Sequence, residues 1–203
     1  MKIKICGVTH PDDAEVAAHL GADYIGIIFS TGSRRRVSVP LAKRIATAAK
    51  HGGAEPVGVF VEEPADQIAA ICELAGIKWI QLHGSRPTED LDLLIGTYLI
   101  IQAISVEKDG SVSQHIPPLA VTPLYDNLKA GCGTPFDWAA FSPPKKSHWI
   151  LAGGLNPGNV AEAIALLKPY GVDVATGVEL SRTTRKDPYL VKAFIQTARE
   201  LQE

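Results

Sequence analysis

Cys6 closes a short strand-like run, KIKIC, directly before Gly7, and Asp126 closes a more apolar one, PLYD, late in the chain. A thiol acts as a base only when ionised, and at its ordinary pKa of about 8.5 only a few per cent is thiolate at neutral pH. Something cationic must therefore stand beside Cys6 if it is to work. Judged alone, Cys6 reads equally well as a small buried hydrophobe. An aspartate at the end of an apolar run costs burial energy unless it has a partner or a task. Its plain alternative is a brace for the following turn, although Asp137 in FDW is the better cap. Taken together, the two are candidates for proton transfer at strand ends.

Three further groups could hold a substrate. The run SRRRV places Arg34, Arg35 and Arg36 in one loop, where a guanidinium fork can grip a carboxylate or simply solvate the chain. His83, in QLHG, is either a donor at the site or a satisfied rim histidine. Gly153 and Gly154 in LAGGLNP, with Thr176 and Gly177 in DVATGVE, offer exposed backbone N–H groups and helix starts that suit a phosphate. Either glycine site alone is an ordinary tight turn; two after consecutive strands point to an anion. Cys72 falls on the apolar stripe of a helical segment and reads as core.

These groups need elements that bring them to one rim. Short Val- and Ile-rich runs alternate with longer segments of helical period, the pattern of repeated βα units on a parallel sheet. Eight strands are expected, at Ile3–Cys6, Tyr24–Phe29, Pro56–Val61, Trp79–Leu82, Leu99–Ile104, Leu119–Tyr125, Trp149–Ala152 and Val172–Thr176. Helices are expected over Pro11–Leu20, Pro40–Lys50, Pro64–Ala75, Asn159–Lys168 and Pro188–Leu201, with Pro or a polar cap near the start and Gly or Lys near the stop. The crossovers Glu107–Pro118 and Phe136–Ser147 are polar or Pro-bearing and read as short turns. A doubly wound nucleotide fold would place its glycine fingerprint after the first strand, where this chain has a lone Gly7. Glycines gather instead after strands seven and eight, where a (β/α)8 TIM barrel builds its phosphate site. The fold class is therefore α/β, with residues 1–203 forming one barrel domain.

The 203 residues carry a formal net charge of -2, too little positive charge for a nucleic-acid partner. No apolar stretch is long enough for a membrane span and the N-terminus does not read as a signal sequence, so the expectation is a cytoplasmic protein. Cys6, Cys72 and Cys132 lie far apart with no CxxC, which suggests neither disulfides nor zinc.

The motifs KICGVT, GADYIGIIF, SRRRVS, GVFV, IQLHG, LYD, FDW, LAGGLNP and VDVATGVE, in this order, resemble the phosphoribosylanthranilate isomerase family of tryptophan biosynthesis nearly end to end. The resemblance implies an Amadori rearrangement of N-(5-phosphoribosyl)anthranilate, a small phosphorylated substrate, with no cofactor and no metal. It implies Asp126 as general acid on the ribose ring oxygen, Cys6 as general base at the sugar C2, and Arg35 for the anthranilate carboxylate. His83 is carried as a substrate contact, and Gly153, Gly154, Thr176 and Gly177 as the phosphate contacts. Departures are Ala175-Thr176 where the family has Ser-Ser, LSRTTRKD after GVE, Cys132 in AGCGTP, and Arg34 where Pro is usual. Arg182 or Arg185 could supplement the phosphate site, and the assembly expected is a monomer or a weak homodimer.

Two other readings remain. A neighbouring phosphate-binding barrel, such as indole-glycerol-phosphate synthase or a ribulose-phosphate epimerase, would want a catalytic lysine on a strand or metal-binding histidines. No strand is expected to carry a lysine near its C-terminal end, and His83 and His148 are too few for a metal. A barrel that binds its ligand without turnover would have no need of a base and an acid on one rim.

Overall fold

The computed structural model describes residues 1–84, 90–112, 117–127, 135–143 and 148–200. Eight parallel strands close into a barrel in chain order: β1 Lys2–Ile5, β2 Tyr24–Ile28, β3 Glu55–Phe60, β4 Trp79–Leu82, β5 Leu99–Val106, β6 Val121–Asn127, β7 Ile150–Leu151 and β8 Gly171–Val174. Around them lie α1 Pro11–His19, α2 Val39–His51, α3 Ala65–Ala75, α4 Leu91–Leu94, α5 Val160–Leu167 and α6 Pro188–Glu200.

Successive strand residues point to opposite faces, so each strand feeds two cores. Ile3, Ile5, Ile25, Ile27 and Ile80 face outward and are buried against helix residues such as Ala14, Ala42, Ile45 and Phe194. Tyr24, Val57, Ile101, Leu124 and Ile150 face inward and fill the barrel. Each such side chain contributes about 1.5–3 kcal/mol through burial. This double burial is why the strands read as nearly continuous apolar runs rather than alternating ones. Charged residues within the runs are therefore exceptional, and two of them, Lys4 and Asp173, meet where β1 and β8 close the barrel.

The strand ends differ from the sequence expectation by a few residues, as pairing partners rather than local composition set them. Strand β6 begins at Val121 instead of Leu119 and runs to Asn127, so Asp126 lies inside the ladder, paired with Ser105. Strands β7 and β8 end at Leu151 and Val174, sooner than expected, which leaves Ala152 and Thr176 to the loops. Helix α4 was not anticipated, because its four residues span too little chain to show a helical period. The described parts of the two weak crossovers hold turns, with Asp137 Oδ1 accepting from the Ala139 and Ala140 amides as a cap does. Cys132 lies outside the described residues, as does the rest of AGCGTP up to Thr134. Among the described residues no helix is long and apolar enough to cross a membrane.

Candidate active site

Because Ile3 and Ile5 pack outward, the period of two turns Lys4 and Cys6 into the barrel. The Cys6 amide donates to the Val174 carbonyl at 2.8 Å, which extends the β1–β8 ladder to Cys6 and fixes the height of its thiol. Gly7 follows with φ +68°, a left-handed conformation that glycine adopts freely. A Cβ on Gly7 would stand 2.4 Å from the Arg35 Cδ, so the turn after Cys6 also seats Arg35.

A cation does stand beside Cys6, and it is Lys4. Its side chain is 1% exposed, and Nζ donates to Asp173 Oδ1 at 3.1 Å. Gly26 on β2 makes the space: a Cβ there would lie 2.7 Å from Cys6 Sγ and 3.1 Å from Lys4 Nζ. Burial by itself would pull the Lys4 ammonium down, but Asp173 and Cys6 outweigh it and hold its pKa above the ordinary lysine value. Burial pushes the Cys6 thiol up, and the pull of Lys4 opposes this without overcoming it. At rest the thiol therefore keeps its proton. This corrects the expectation that no strand carries a lysine near its C-terminal end: Lys4 is the penultimate residue of β1.

Asp126 is turned inward by its neighbour. Tyr125 packs outward among Phe141 and Trp149, with ring centroids 5.3 Å and 5.7 Å away, and this aromatic anchor sets the strand's facing. Asp126 Oδ1 accepts from the Asn127 amide at 2.8 Å. Burial first, then repulsion from Asp173, raises the carboxyl to about 7. Near neutral pH a large share of it holds a proton, as a general acid requires. Strands β7 and β8 separate Asp126 from Cys6 around the ring, yet both line one cavity of about 440 Å³ together with Arg35, Gln81, His83 and Asp173.

The three arginines differ in what they touch. Arg35 is buried; its Nε donates to Glu179 Oε1 at 2.6 Å and its Nη2 to Thr176 Oγ at 2.8 Å. Arg34 reaches the same Glu179 and the Thr183 carbonyl, while Arg36 caps the Phe29 carbonyl. Lys186, also buried, donates to Glu179 Oε1 and to the Ala175 carbonyl. Burial would raise the Glu179 carboxyl, but Arg35 and Lys186 hold it below its usual value. One carboxylate thus organises three cations, Arg34, Arg35 and Lys186, and the local excess is positive. Such a field suits a ligand with more than one anionic group.

Beside the main cavity lies a smaller one of about 50 Å³, lined by Gly153, Gly154, Thr176 and Gly177, with Asp126 and Asp173 shared. Asn159 Nδ2 donates to the Gly154 carbonyl at 3.0 Å, tying that oxygen back toward α5. Gly153 and Gly154 both have positive φ, a backbone that glycine adopts freely. Gly177 needs to be glycine for another reason than the one the sequence suggested. A Cβ there would meet the Leu155 carbonyl at 2.0 Å, and the element it sits in is a three-residue 3-10 turn, Thr176–Val178, rather than the start of a longer helix. Arg185 is not available to a phosphate: its guanidinium is bound to Asp13, with Nη2 2.7 Å from Oδ1.

His83 lines the large cavity with its Nε2 buried and without a protein partner among the described residues. Burial, helped by Lys4, lowers its pKa, so the ring is neutral near pH 7 and fit to hydrogen-bond a ligand. Cys72 is buried in α3 and its thiol is pushed up to about 12 by burial, as befits a core residue. The sequence reading missed Lys4, Asp173, Glu179, Lys186 and Gly26. A charge on the inward parity of an apolar strand was the available signal for the first two.

A thiol beside an ammonium and a carboxyl of raised pKa thus share one cavity on the C-terminal rim of a (β/α)8 barrel, the face on which enzymes of this fold carry their active sites. The comparisons agree. The family described as N-(5'phosphoribosyl)anthranilate (PRA) isomerase matches residues 3–197, and the chain belongs to that family. The chain is 60% identical over 205 residues to the N-(5'-phosphoribosyl)anthranilate isomerase of Chlamydia felis, covering 100% of this chain and 99% of that one. Its structure is similar to that of TrpF from Jonesia denitrificans, with a TM-score of 0.84, 32% identity, and coverage of 100% and 98%. It is also similar to a phosphoribosyl anthranilate isomerase in complex with reduced 1-(o-carboxyphenylamino)-1-deoxyribulose 5-phosphate, with a TM-score of 0.78, 30% identity, and coverage of 98% and 99%.

Proposed function

We propose that the chain converts N-(5'-phosphoribosyl)anthranilate into 1-(2-carboxyphenylamino)-1-deoxyribulose 5-phosphate, with Asp126 as general acid and Cys6 as general base. The observation that carries this reading is the single cavity shared by Cys6, Asp126 and Arg35, with the glycine cradle beside it. Asp126 gives its proton to the ribose ring oxygen as the C1–O bond breaks, and the nitrogen lone pair forms an iminium. The iminium withdraws electrons from C2, so a thiolate of modest basicity can take the C2 proton there. The resulting enolamine gives its C2 hydroxyl proton to the Asp126 carboxylate and takes one at C1 from the Cys6 thiol, which gives the ketone and returns both groups to their starting protonation.

Arg35, already oriented by Glu179, meets the anthranilate carboxylate, and His83 contacts the substrate from β4. Gly153, Gly154, Thr176 and Gly177 receive the phosphate. The protein acts on this small phosphorylated substrate in the cytoplasm as a monomer or weak homodimer, which sedimentation at micromolar concentration distinguishes.

Calorimetry with the reduced product analogue tests the assignment apart from turnover. Wild type should bind it, and Arg35→Ala should weaken binding by roughly 1.5–3 kcal/mol, the worth of a charge-assisted contact. Arg34→Ala and Arg36→Ala should cost much less. Equal small losses from all three would remove Arg35 from the site.

For the phosphate, Ala175→Ser should change KM by less than about threefold, because backbone groups rather than a second hydroxyl hold the anion. Asn159→Ala, which removes the shorter of two amide contacts to the Gly154 carbonyl, should weaken competition by inorganic phosphate. Undiminished inhibition of that variant would place the anion elsewhere.

A further inference from the structure

The reaction as described leaves one buried ion pair without a task. Lys4 and Asp173 are register partners across the seam that closes the barrel, with Nζ and Oδ1 3.1 Å apart and both residues buried. Taking two charges out of water costs more than their attraction readily returns, and an apolar pair of equal volume would hold the seam as well. The pair has a direction. Its positive end lies against the base, since Cys6 Sγ and Lys4 Nζ crowd the same bare face of Gly26. Its negative end is on β8, between β1 and β6 in the ring, where Asp173 lines both cavities together with Asp126.

We propose that the Lys4–Asp173 pair is a fixed dipole that lowers the cost of moving a proton from Cys6 to Asp126, so that thiolate on Cys6 and carboxylic acid on Asp126 coexist more often than burial alone would allow. This rests on the base and acid assignment above. One proton leaves Cys6 Sγ and one arrives, through solvent, on the Asp126 carboxylate; net charge does not change. Lys4 and Asp173 are positioning residues, acting through the two groups that touch substrate. The electrostatic influences agree with the geometry. At Cys6 the attraction of Lys4 exceeds the repulsion of Asp173, whereas at Asp126 the repulsion of Asp173 exceeds the attraction of Lys4. The other charged groups facing the site do not replace the dipole. Lys186 pulls on Cys6 in the same sense but more weakly, being held by Glu179 and the Ala175 carbonyl. Arg35 is held by Glu179, and His83 is neutral.

Each end of the pair should govern one limb of the pH profile. Activity needs the thiolate and the acid together, so kcat/KM rises through the lower apparent pKa and falls through the upper. Lys4→Met should move the basic limb to higher pH, and Asp173→Asn should move the acidic limb to lower pH. The plateau should fall about tenfold for each pH unit of movement. Either single change strands a buried charge, so the double variant Lys4→Met/Asp173→Asn, which removes both, is the decisive protein. It should fold, with both limbs displaced outward, the plateau lowered about tenfold or more, and KM within about threefold of wild type. A pair that only holds the seam would leave the limbs in place, and unmoved limbs in the folded double variant overturn the proposal.

Should that protein not fold, Asp173→Asn decides by a second readout. Iodoacetamide should alkylate Cys6 faster in this variant, because the thiolate has lost a repelling neighbour, while turnover falls. Alkylation and turnover falling together would overturn the dipole. Failure of the underlying assignment looks different, since Cys6→Ser or Asp126→Asn would then turn over at the wild-type rate.

Discussion

Cys6→Ser is expected to lower kcat by 10²–10⁴-fold, the usual cost of losing a general base. Serine fills nearly the same space, and Cys6 sits in a ladder position fixed by the Val174 carbonyl, so the fold and the substrate site should persist. The hydroxyl, however, holds its proton far more tightly than a thiol, and one buried ammonium cannot close that gap. KM should stay within about threefold of wild type, because the interactions lost are those of the transition state. Retention of more than about a tenth of kcat would end the base assignment.

Asp126→Asn should abolish turnover to a similar degree and, unlike the first change, make the protein more stable at alkaline pH. The carboxyl sits at about 7 in the folded chain against an ordinary 3.8. The folded state therefore holds a proton that the unfolded chain releases between those values. Stability from this group is complete below the lower value and is lost as pH rises through the upper one. At pH near 8 the ionised carboxylate costs the folded state about 2–4 kcal/mol, which asparagine does not incur. The amide oxygen can still accept from the Asn127 backbone, so nothing else need be lost. Thermal unfolding should show a higher Tm for Asp126→Asn near pH 8, by roughly 2–4 °C per kcal/mol, shrinking toward zero near pH 4. A Tm difference independent of pH would mean that Asp126 is not held as an acid. Here a reactive group is kept at the expense of stability, as strained sites often are.

How far the sequence discloses the site depends on whether a residue's role is local. Cys6 and Asp126 were legible because each closes a strand-like run, and the rim of a barrel is where such runs end. The glycine pairs were legible because they follow consecutive strands. Lys4 was passed over although the alternation in KIKIC places it on the same face as Cys6. Its partner Asp173 lies 169 residues away, and only the closure of β8 on β1 brings them together. Arg185 shows the reverse error. Its nearness in sequence to GVE suggested a phosphate contact, while its true partner, Asp13, is 172 residues distant. Gly26 reads locally as a weak point in a strand; the structure makes it the gap that thiol and ammonium share. Helix bounds were legible to within a residue or two from their prolines and caps, as for α1, α2 and α3. Strand ends were less so, because a ladder stops where its neighbour stops.

The most direct test of the account is turnover itself. Purified protein is mixed with freshly prepared N-(5'-phosphoribosyl)anthranilate near pH 7, and the loss of anthranilate-type fluorescence is followed beside the Cys6→Ser/Asp126→Asn double variant. The account predicts steady loss of fluorescence with wild type and none above the buffer rate with the double variant. Wild type that leaves the fluorescence at the buffer rate, or a double variant that matches wild type, would contradict it.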